Sequence, residues 1–321
     1  MLWSQLQDQA VTLGWDFYLP VLMFVVLCAL AVPVWVSIGS AAILMLIMSE
    51  ALPLSLIGES LFDGIDAFAL TAVPLFILTG DVLVRTGLSR KFLDIADALT
   101  CWTKGGFGSA TVLVCGMFSS ISGSDAAGAA AVGRMTISRL VESGYPRPYA
   151  CALVAAGSCT GILIPPSISY IIIGLVLGIS ASILFLAAVI PGLTILLSIL
   201  ITNIVMNRLN SYESGGNITV VEWWQNLIKA LKSGWYAFIV PGIIFYGIFS
   251  GSLTPTEAGA TAVVVTIIIG FILGTLKLSD FPDMLLSSAK VNGVILPIIA
   301  FSLPLAQVLA ILGVPQGFVY S

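Results

Sequence analysis

The sequence predicts an all-α, polytopic membrane protein built on an inverted repeat. Three observations carry that prediction. The 321 residues are 59% hydrophobic and 9% charged, with a mean hydropathy of +1.10, a balance no soluble globular domain keeps. The apolar residues fall into runs of about 20, the length that crosses a hydrocarbon core of about 30 Å. Prolines recur in the same order twice: Pro20, Pro33 and Pro74 are spaced by 13 and 41, and Pro241, Pro255 and Pro297 by 14 and 42. The segment TGLSRKF (86–92) extends the match to LGVPQGF (312–318). Five full crossings separate the starts of the two copies, which gives them opposite topology. Such repeats mark secondary transporters, with sites at the repeat interface.

The crossings are expected near 17–37, 38–57, 67–86, 148–178, 182–206, 234–252, 257–276 and 288–311. The first sixteen residues hold two Asp and no Lys or Arg, so they lack the basic region of a signal peptide. The 58–66 segment, with Glu59, Asp63 and Asp66 and no cation, is expected as an outside loop, which also puts the N-terminus outside. Asp81 and Arg85, four residues apart near a helix end, are expected to pair.

Between the third and fourth crossings lie two shorter apolar pieces, near 105–121 and 125–141, joined at Ser122-Gly123-Ser124. Arg85, Arg90, Lys91 and Lys104 precede them, and Arg134, Arg139 and Arg147 accompany or follow the second. Both flanks are basic and therefore belong on the cytoplasmic side. Their length and the Gly/Ser tip predict a re-entrant hairpin entering from the cytoplasm and turning inside the membrane. The next crossing is interrupted by Ser158, Thr160, Gly161 and then Ile164-Pro165-Pro166-Ser167. Residues 219–232, with Trp223, Trp224, Lys229 and Lys232, are expected as an amphipathic helix at the interface. Thr254-Pro255-Thr256-Glu257 reads as a helix start with a capping box.

Irregular backbone at membrane depth is tolerated where it lines a site. Ser122 and Ser124 offer hydroxyls and the backbone at Gly123 offers carbonyls. The double proline removes N–H donors and frees carbonyls between Gly161 and Ile164. Helix N-termini at the same interruptions favour an anion. The expected pair is therefore carbonyls and hydroxyls for Na⁺ and helix N-termini for a carboxylate. Ser124, Asp125, Thr160 and Ser167 are the groups expected to meet the substrate. Asp125, just after the tip, reads as a cation ligand or, ahead of that and equally, as a proton site or a favourable charge on a helix N-terminus. GAAAVG (128–133) reads as tight helix packing.

Other chemistry finds no support. There is no His, no nucleophile–base constellation, no phosphate-binding loop with Lys and no nucleotide fingerprint. Neither an enzyme nor a nucleic-acid binder is expected, and no cofactor beyond a coupling ion. The five Cys lack metal-ligand spacing and read as small packing residues.

Four stretches, PLFILTGDVLVRTGLSRKF, GMFSSISGSDAAGAAAVG, GILIPPS and GIFSGSLTPTEAGATAV, together resemble the large membrane subunit of tripartite ATP-independent periplasmic (TRAP) transporters. The resemblance runs from about residue 17 to the end. It implies a bacterial inner-membrane permease working with a small four-helix membrane subunit and a periplasmic substrate-binding protein, importing an organic acid with Na⁺ by an elevator movement. It implies a Na⁺ site made by Ser122, Gly123 and Ser124 at the tip and by carbonyls of Gly161, Ile164 and Pro166. The implied organisation is scaffold helices in 1–92, a transport domain in 93–206 (hairpin 104–142, broken helix 148–178), a cytoplasmic connector in 207–233 and the second copy's scaffold in 234–321. Members of that family run on for about another hundred residues, so a C-terminally incomplete second repeat is expected. Two other readings remain: a stand-alone sodium/dicarboxylate-type carrier of related architecture, and a non-transporting subunit of a membrane complex.

Overall fold

The computed structural model describes residues 14–49, 55–213 and 219–314, and among them every regular element is a helix. The matched segment 312–318 and the connector 207–233 lie partly outside the described residues. Among the described residues, six helical stretches are long and apolar enough to cross a membrane: Phe68–Arg85, Arg147–Leu177, Ala181–Asn210, Val220–Phe249, Pro255–Ile272 and Leu278–Ile311. The all-α, polytopic class expected from composition is therefore what the chain adopts.

The described residues form two compact units. One joins the N-terminal part to residues 290–321. In it, α1 (Trp15–Ala29) and α2 (Val34–Ser49) form a hairpin. This replaces the single crossing expected over 17–37. Pro33 sits in the connecting turn, and a proline both lacks the N–H for a continuing helix and pushes the residue before it out of helical geometry. A second expectation fails at 58–66. This stretch is not a loop but most of helix α3 (Ser55–Ile65). Tertiary contacts explain the difference: Ser60 Oγ donates to Gln307 Oε1 at 2.6 Å, and the bare Cα of Gly64 makes room for Leu303. Trp35 stacks on Phe301 with centroids 5.9 Å apart, over the space Gly39 leaves open. Val308, buried with Met45 and Leu46, closes the core of this unit.

The second unit spans Phe68–Ala289. A 3₁₀ turn (Phe68–Thr71) leads into α4 (Ala72–Arg85), where Asp81 and Arg85 form the expected pair at 3.5 Å. Then come α5 (Leu88–Thr100), α6 (Gly106–Ser122), α7 (Asp125–Glu142), α8 (Arg147–Leu163), α9 (Ile168–Leu177) and the long α10 (Ala181–Asn210). Helix α11 (Val220–Gly234) starts with a capping box between Thr219 and Glu222 and lies along α5, with Trp223 Nε1 donating to Leu99 O at 3.3 Å. After a 3₁₀ turn (Trp235–Phe238) come α12 (Ile239–Phe249), α13 (Pro255–Ile272) and α14 (Phe281–Ile311), the last continuing into the first unit. Helix α13 begins as its sequence predicts: Thr254 Oγ1 accepts from Glu257 N at 3.3 Å, and Glu257 Oε2 accepts from Thr254 N at 2.8 Å.

Helix α6 is the axis of this unit. It packs on α4, α5, α7, α8 and α10, and nearly all of its residues are buried. The small residues of GFGSATVLVCGMFSSIS let those helices approach closely, which is how apolar helices associate without a hydrophobic drive.

Candidate functional site

Helices α6 and α7 form the expected helical hairpin. Each arm is about 25–27 Å long at 1.5 Å per residue, short of a full hydrocarbon core. The turn between them is two residues. Gly123 closes α6 in the left-handed conformation (φ 65°), which glycine adopts without steric cost. Ser124 opens α7 as its N-cap, its Oγ accepting from Ala127 N at 3.3 Å. Asp125 follows in the first turn, its Oδ1 accepting from Ala126 N at 2.8 Å, the place where a carboxylate complements the helix N-terminus.

The broken helix lies against this hairpin. Helix α8 ends at Leu163 and Ile164 leaves helical geometry (ψ 118°). Pro165 and Pro166 supply no N–H, so the carbonyls of Gly161 and Ile162 lose the donors four residues ahead. Ser167 restarts the chain as the N-cap of α9, but its side chain makes no cap bond. That hydroxyl is fully buried and has no hydrogen-bond partner among the described residues. A buried hydroxyl left alone costs about 1–3 kcal/mol, so an uncommitted oxygen here invites a ligand.

Glycines bring the two interruptions together. A Cβ on Gly123 would lie 2.6 Å from Ile168 Cγ1, so the tip rests on the first turn of α9. A Cβ on Gly161 would run into Ser119, with the Ser119 Cα at 2.7 Å, so the last turn of α8 rests on the last turn of α6. A Cβ on Gly80 would lie 2.6 Å from Ser122 Cβ, which sets α4 against the tip. On the far side of the break, Leu163 O would lie 3.0 Å from a Cβ on Gly192 of α10. The C-terminal ends of α6 and α8 and the N-terminal ends of α7 and α9 thus share one neighbourhood, offering carbonyls and N–H groups together.

Within it the expected residues differ in how committed they are. Ser122 is buried, and its hydroxyl donates only at long range, to Ser119 O at 3.4 Å or Ser124 O at 3.3 Å. Such bonds usually close to about 2.7–2.8 Å, and among the described residues no group donates to this oxygen, so its lone pairs are available to a cation. Ser124 is engaged as a cap. Thr160 donates to Gly157 O at 2.6 Å, and its hydroxyl lies against Gly116 of α6. Gly161 and Pro166 are buried, and Ile164 N donates to Thr160 O at 2.9 Å. Sequence reasoning overlooked Gly80 and Ser119. Their signal is a small residue on a buried helix, legible only once the crossing partner is known.

A second cluster anchors the base of the hairpin, and the sequence gives no hint of it. Both carboxylate oxygens of Glu213 accept from Phe107 N at 3.2 Å, capping α6, and Oε2 also accepts from Tyr145 Oη at 3.1 Å. Asn207 and Glu213 exchange two bonds, at 2.8 and 3.1 Å. Asn203 Nδ2 donates to Gly105 O at 3.2 Å and Ser109 Oγ at 3.1 Å. Tyr145, Tyr149 and Tyr212 pack ring to ring around the cluster. Burial and the neighbouring Glu213 carboxylate push the Tyr145 phenol above its usual range. Arg139 of α7 lies 4.0 Å over the Phe107 ring while its Nη2 meets Asp97 Oδ2 of α5 at 2.6 Å. No group of His, Cys, Asp and Glu that could hold a transition metal occurs among the described residues.

Comparison with known proteins gives one consistent answer. The profile of the family described as "Tripartite ATP-independent periplasmic transporter, DctM component" matches residues 21–320. The chain is 32% identical over 282 residues to the C4-dicarboxylate TRAP transporter large permease protein DctM of Pseudomonas aeruginosa, covering 88% of this chain and 65% of that one. It is 30% identical over 300 residues to the isethionate TRAP transporter permease protein DctMQ of Oleidesulfovibrio alaskensis, covering 92% and 47%. It is 30% identical over 264 residues to the sialic acid TRAP transporter large permease protein SiaM of Vibrio cholerae, covering 82% and 61%. The chain thus spans between about half and two thirds of the length of these relatives.

Proposed function

The chain belongs to the DctM-component family of tripartite ATP-independent periplasmic transporters, a family of transporters and not of enzymes, and from that premise we propose that it serves as large permease in the sodium-coupled import of a small organic acid. The observation that carries the proposal is the meeting of the Ser122-Gly123-Ser124 tip with the first turn of α9, beside the buried, unpartnered Ser167 hydroxyl. Na⁺ is a hard cation that takes oxygen ligands and needs no formal negative charge where several carbonyl dipoles converge. Ser122 Oγ, the carbonyls of the Gly123 turn and the carbonyls freed around Gly161–Ile164 are such a set, with Pro166 shaping the break. The N-termini of α7 and α9 supply N–H groups for a carboxylate, with Ser167 and the Asp125 end of α7 at its edge. Ion and anion then stabilise each other's binding, which is the basis of coupled transport.

The hairpin and broken helix are the part that moves in this reading. The tight α6–α8 crossing, held by Gly116, Gly157 and Gly161, makes them one body rather than independent helices. The relatives' names point to C4-dicarboxylates, sialic acid and isethionate, all acids of modest size, and the proposed substrate is of that class. The proposed partners are a small membrane subunit and a periplasmic binding protein. The proposed setting is the bacterial inner membrane, with the basic flanks of the hairpin in the cytoplasm and the N-terminus in the periplasm.

The test is uptake into proteoliposomes holding the chain and both partners. An inward Na⁺ gradient is expected to drive accumulation of a labelled organic acid, and an equal K⁺ gradient is expected to drive none. Equal accumulation under both gradients overturns the sodium coupling. Uptake without the binding protein, at the same rate, overturns the tripartite assignment and favours a stand-alone carrier.

A further inference from the structure

We propose that the groove between the 101–105 loop and the end of α10 binds the headgroup of an anionic phospholipid. The groove encloses about 730 Å³ and is lined by Trp102, Thr103, Lys104, Ile204 and Arg208. It contains two cations and no acid. Both Lys104 and Arg208 are exposed, and neither has an ion-pair partner among the described residues. Two other cations of the unit, by contrast, are matched: Arg139 meets Asp97 and Lys91 meets Asp94.

The two charges are held together by the fold and not by their own chemistry. Lys104 immediately precedes Gly105, and Arg208 immediately follows Asn207. Gly105 (φ +80°) presses on Asn207, where a Cβ would lie 3.0 Å from the Asn207 Cβ. Asn203 Nδ2 donates to Gly105 O at 3.2 Å, and the Asn207–Glu213 exchange fixes the helix end. Like charges set side by side repel, and a bound anion removes that cost.

Two further features choose a lipid over a free anion. Trp102 is 61% exposed with its Nε1 donating to Leu99 O at 3.0 Å, which suits an aromatic ring at headgroup depth. From Arg208 an exposed apolar stripe runs back along α10 through Val205, Ile201 and Leu197 to Ile190. The part from Arg208 to Leu197 is about 16 Å long, close to one leaflet of a hydrocarbon core of about 30 Å. A basic pocket opening onto such a stripe between helix ends is the chemistry that selects an acidic headgroup with its acyl chain.

The experiment measures thermal unfolding of the purified chain in detergent while phosphatidylglycerol is titrated in. Phosphatidylcholine with the same acyl chains and inorganic phosphate are the comparison arms. The wild-type chain is expected to be stabilised by phosphatidylglycerol and by neither comparison. In the Lys104→Ala/Arg208→Ala variant the apparent affinity is expected to fall about thirtyfold, the loss of two near-surface cations. The Lys104→Arg/Arg208→Lys variant is expected to keep the response. So is Lys229→Ala/Lys232→Ala, which removes the two cations of a separate groove on α11. The proposal is overturned if phosphatidylcholine stabilises as well, if phosphate alone reproduces the effect, or if the 104/208 alanine variant responds like wild type. It is also overturned if the 229/232 variant loses as much affinity. Should the 104/208 alanine variant not fold, the wild-type lipid preference, together with retention by the charge-keeping variant and by the 229/232 variant, decides the matter.

Discussion

At the scale of single residues, glycines set the candidate site more than polar groups do. Gly161 and Gly123 hold the hairpin and the break against each other because a methyl group at either position would strike its neighbour. Gly161→Ala would push on the Ser119 backbone, an overpacking that costs about 1–3 kcal/mol. Its melting temperature in detergent is expected to fall by several degrees, while Gly242→Ala, which meets nothing within 4 Å, is expected to leave it unchanged. An unshifted Gly161→Ala would mean the helices are not in this register. The glycine and serine interruptions themselves were legible from sequence, because an apolar segment broken by Gly, Ser and Pro has few other uses. The degree to which each hydroxyl is committed was not. Ser124 and Ser167 look alike in sequence, yet one caps its helix and the other has no partner among the described residues.

At the scale of elements, the base of the hairpin is fastened as firmly as its tip is left open. Glu213 caps α6 from 106 residues away and holds Tyr145 from 68 residues away. Separations of that size explain why the cluster could not be read from local pattern. The same holds for α3, whose acidic, cation-free stretch read as a loop until Gln307 and Leu303 gave it a packing face. Capping boxes at α13, and the pair Asp81–Arg85, were legible because they are local. The latch carries a pH signature. Tyr145 is 2% exposed, and its pKa in the folded chain lies above the unfolded value of about 10. A group raised in this way contributes stability that is complete below about pH 10 and is lost as pH climbs toward the folded value. Tyr145→Phe is therefore expected to flatten the fall of the melting temperature between about pH 10 and 11.5, relative to wild type. An equally steep fall in the variant would show that Tyr145 does not titrate in this way.

At the scale of the whole molecule, composition settled the class, and proline spacing pointed to a repeat. The boundaries moved where a proline acted locally, as Pro33 did in dividing α1 from α2. The second compact unit gathers the hairpin, the broken helix and α4 around α6, with the open tip at one end of the hairpin and the Glu213 latch at the other. In the proposed function this body carries an ion and an anion together, because the groups proposed for each lie in the same two interruptions. That claim is tested most directly by the Na⁺ dependence of uptake in the reconstituted tripartite system, wild type against Ser122→Ala. Losing one oxygen ligand of about 1–2 kcal/mol is expected to raise the Na⁺ concentration for half-maximal uptake roughly tenfold, with the affinity for the binding protein unchanged. A Ser122→Ala variant whose Na⁺ dependence matches wild type would contradict the placement of the sodium site at the hairpin tip.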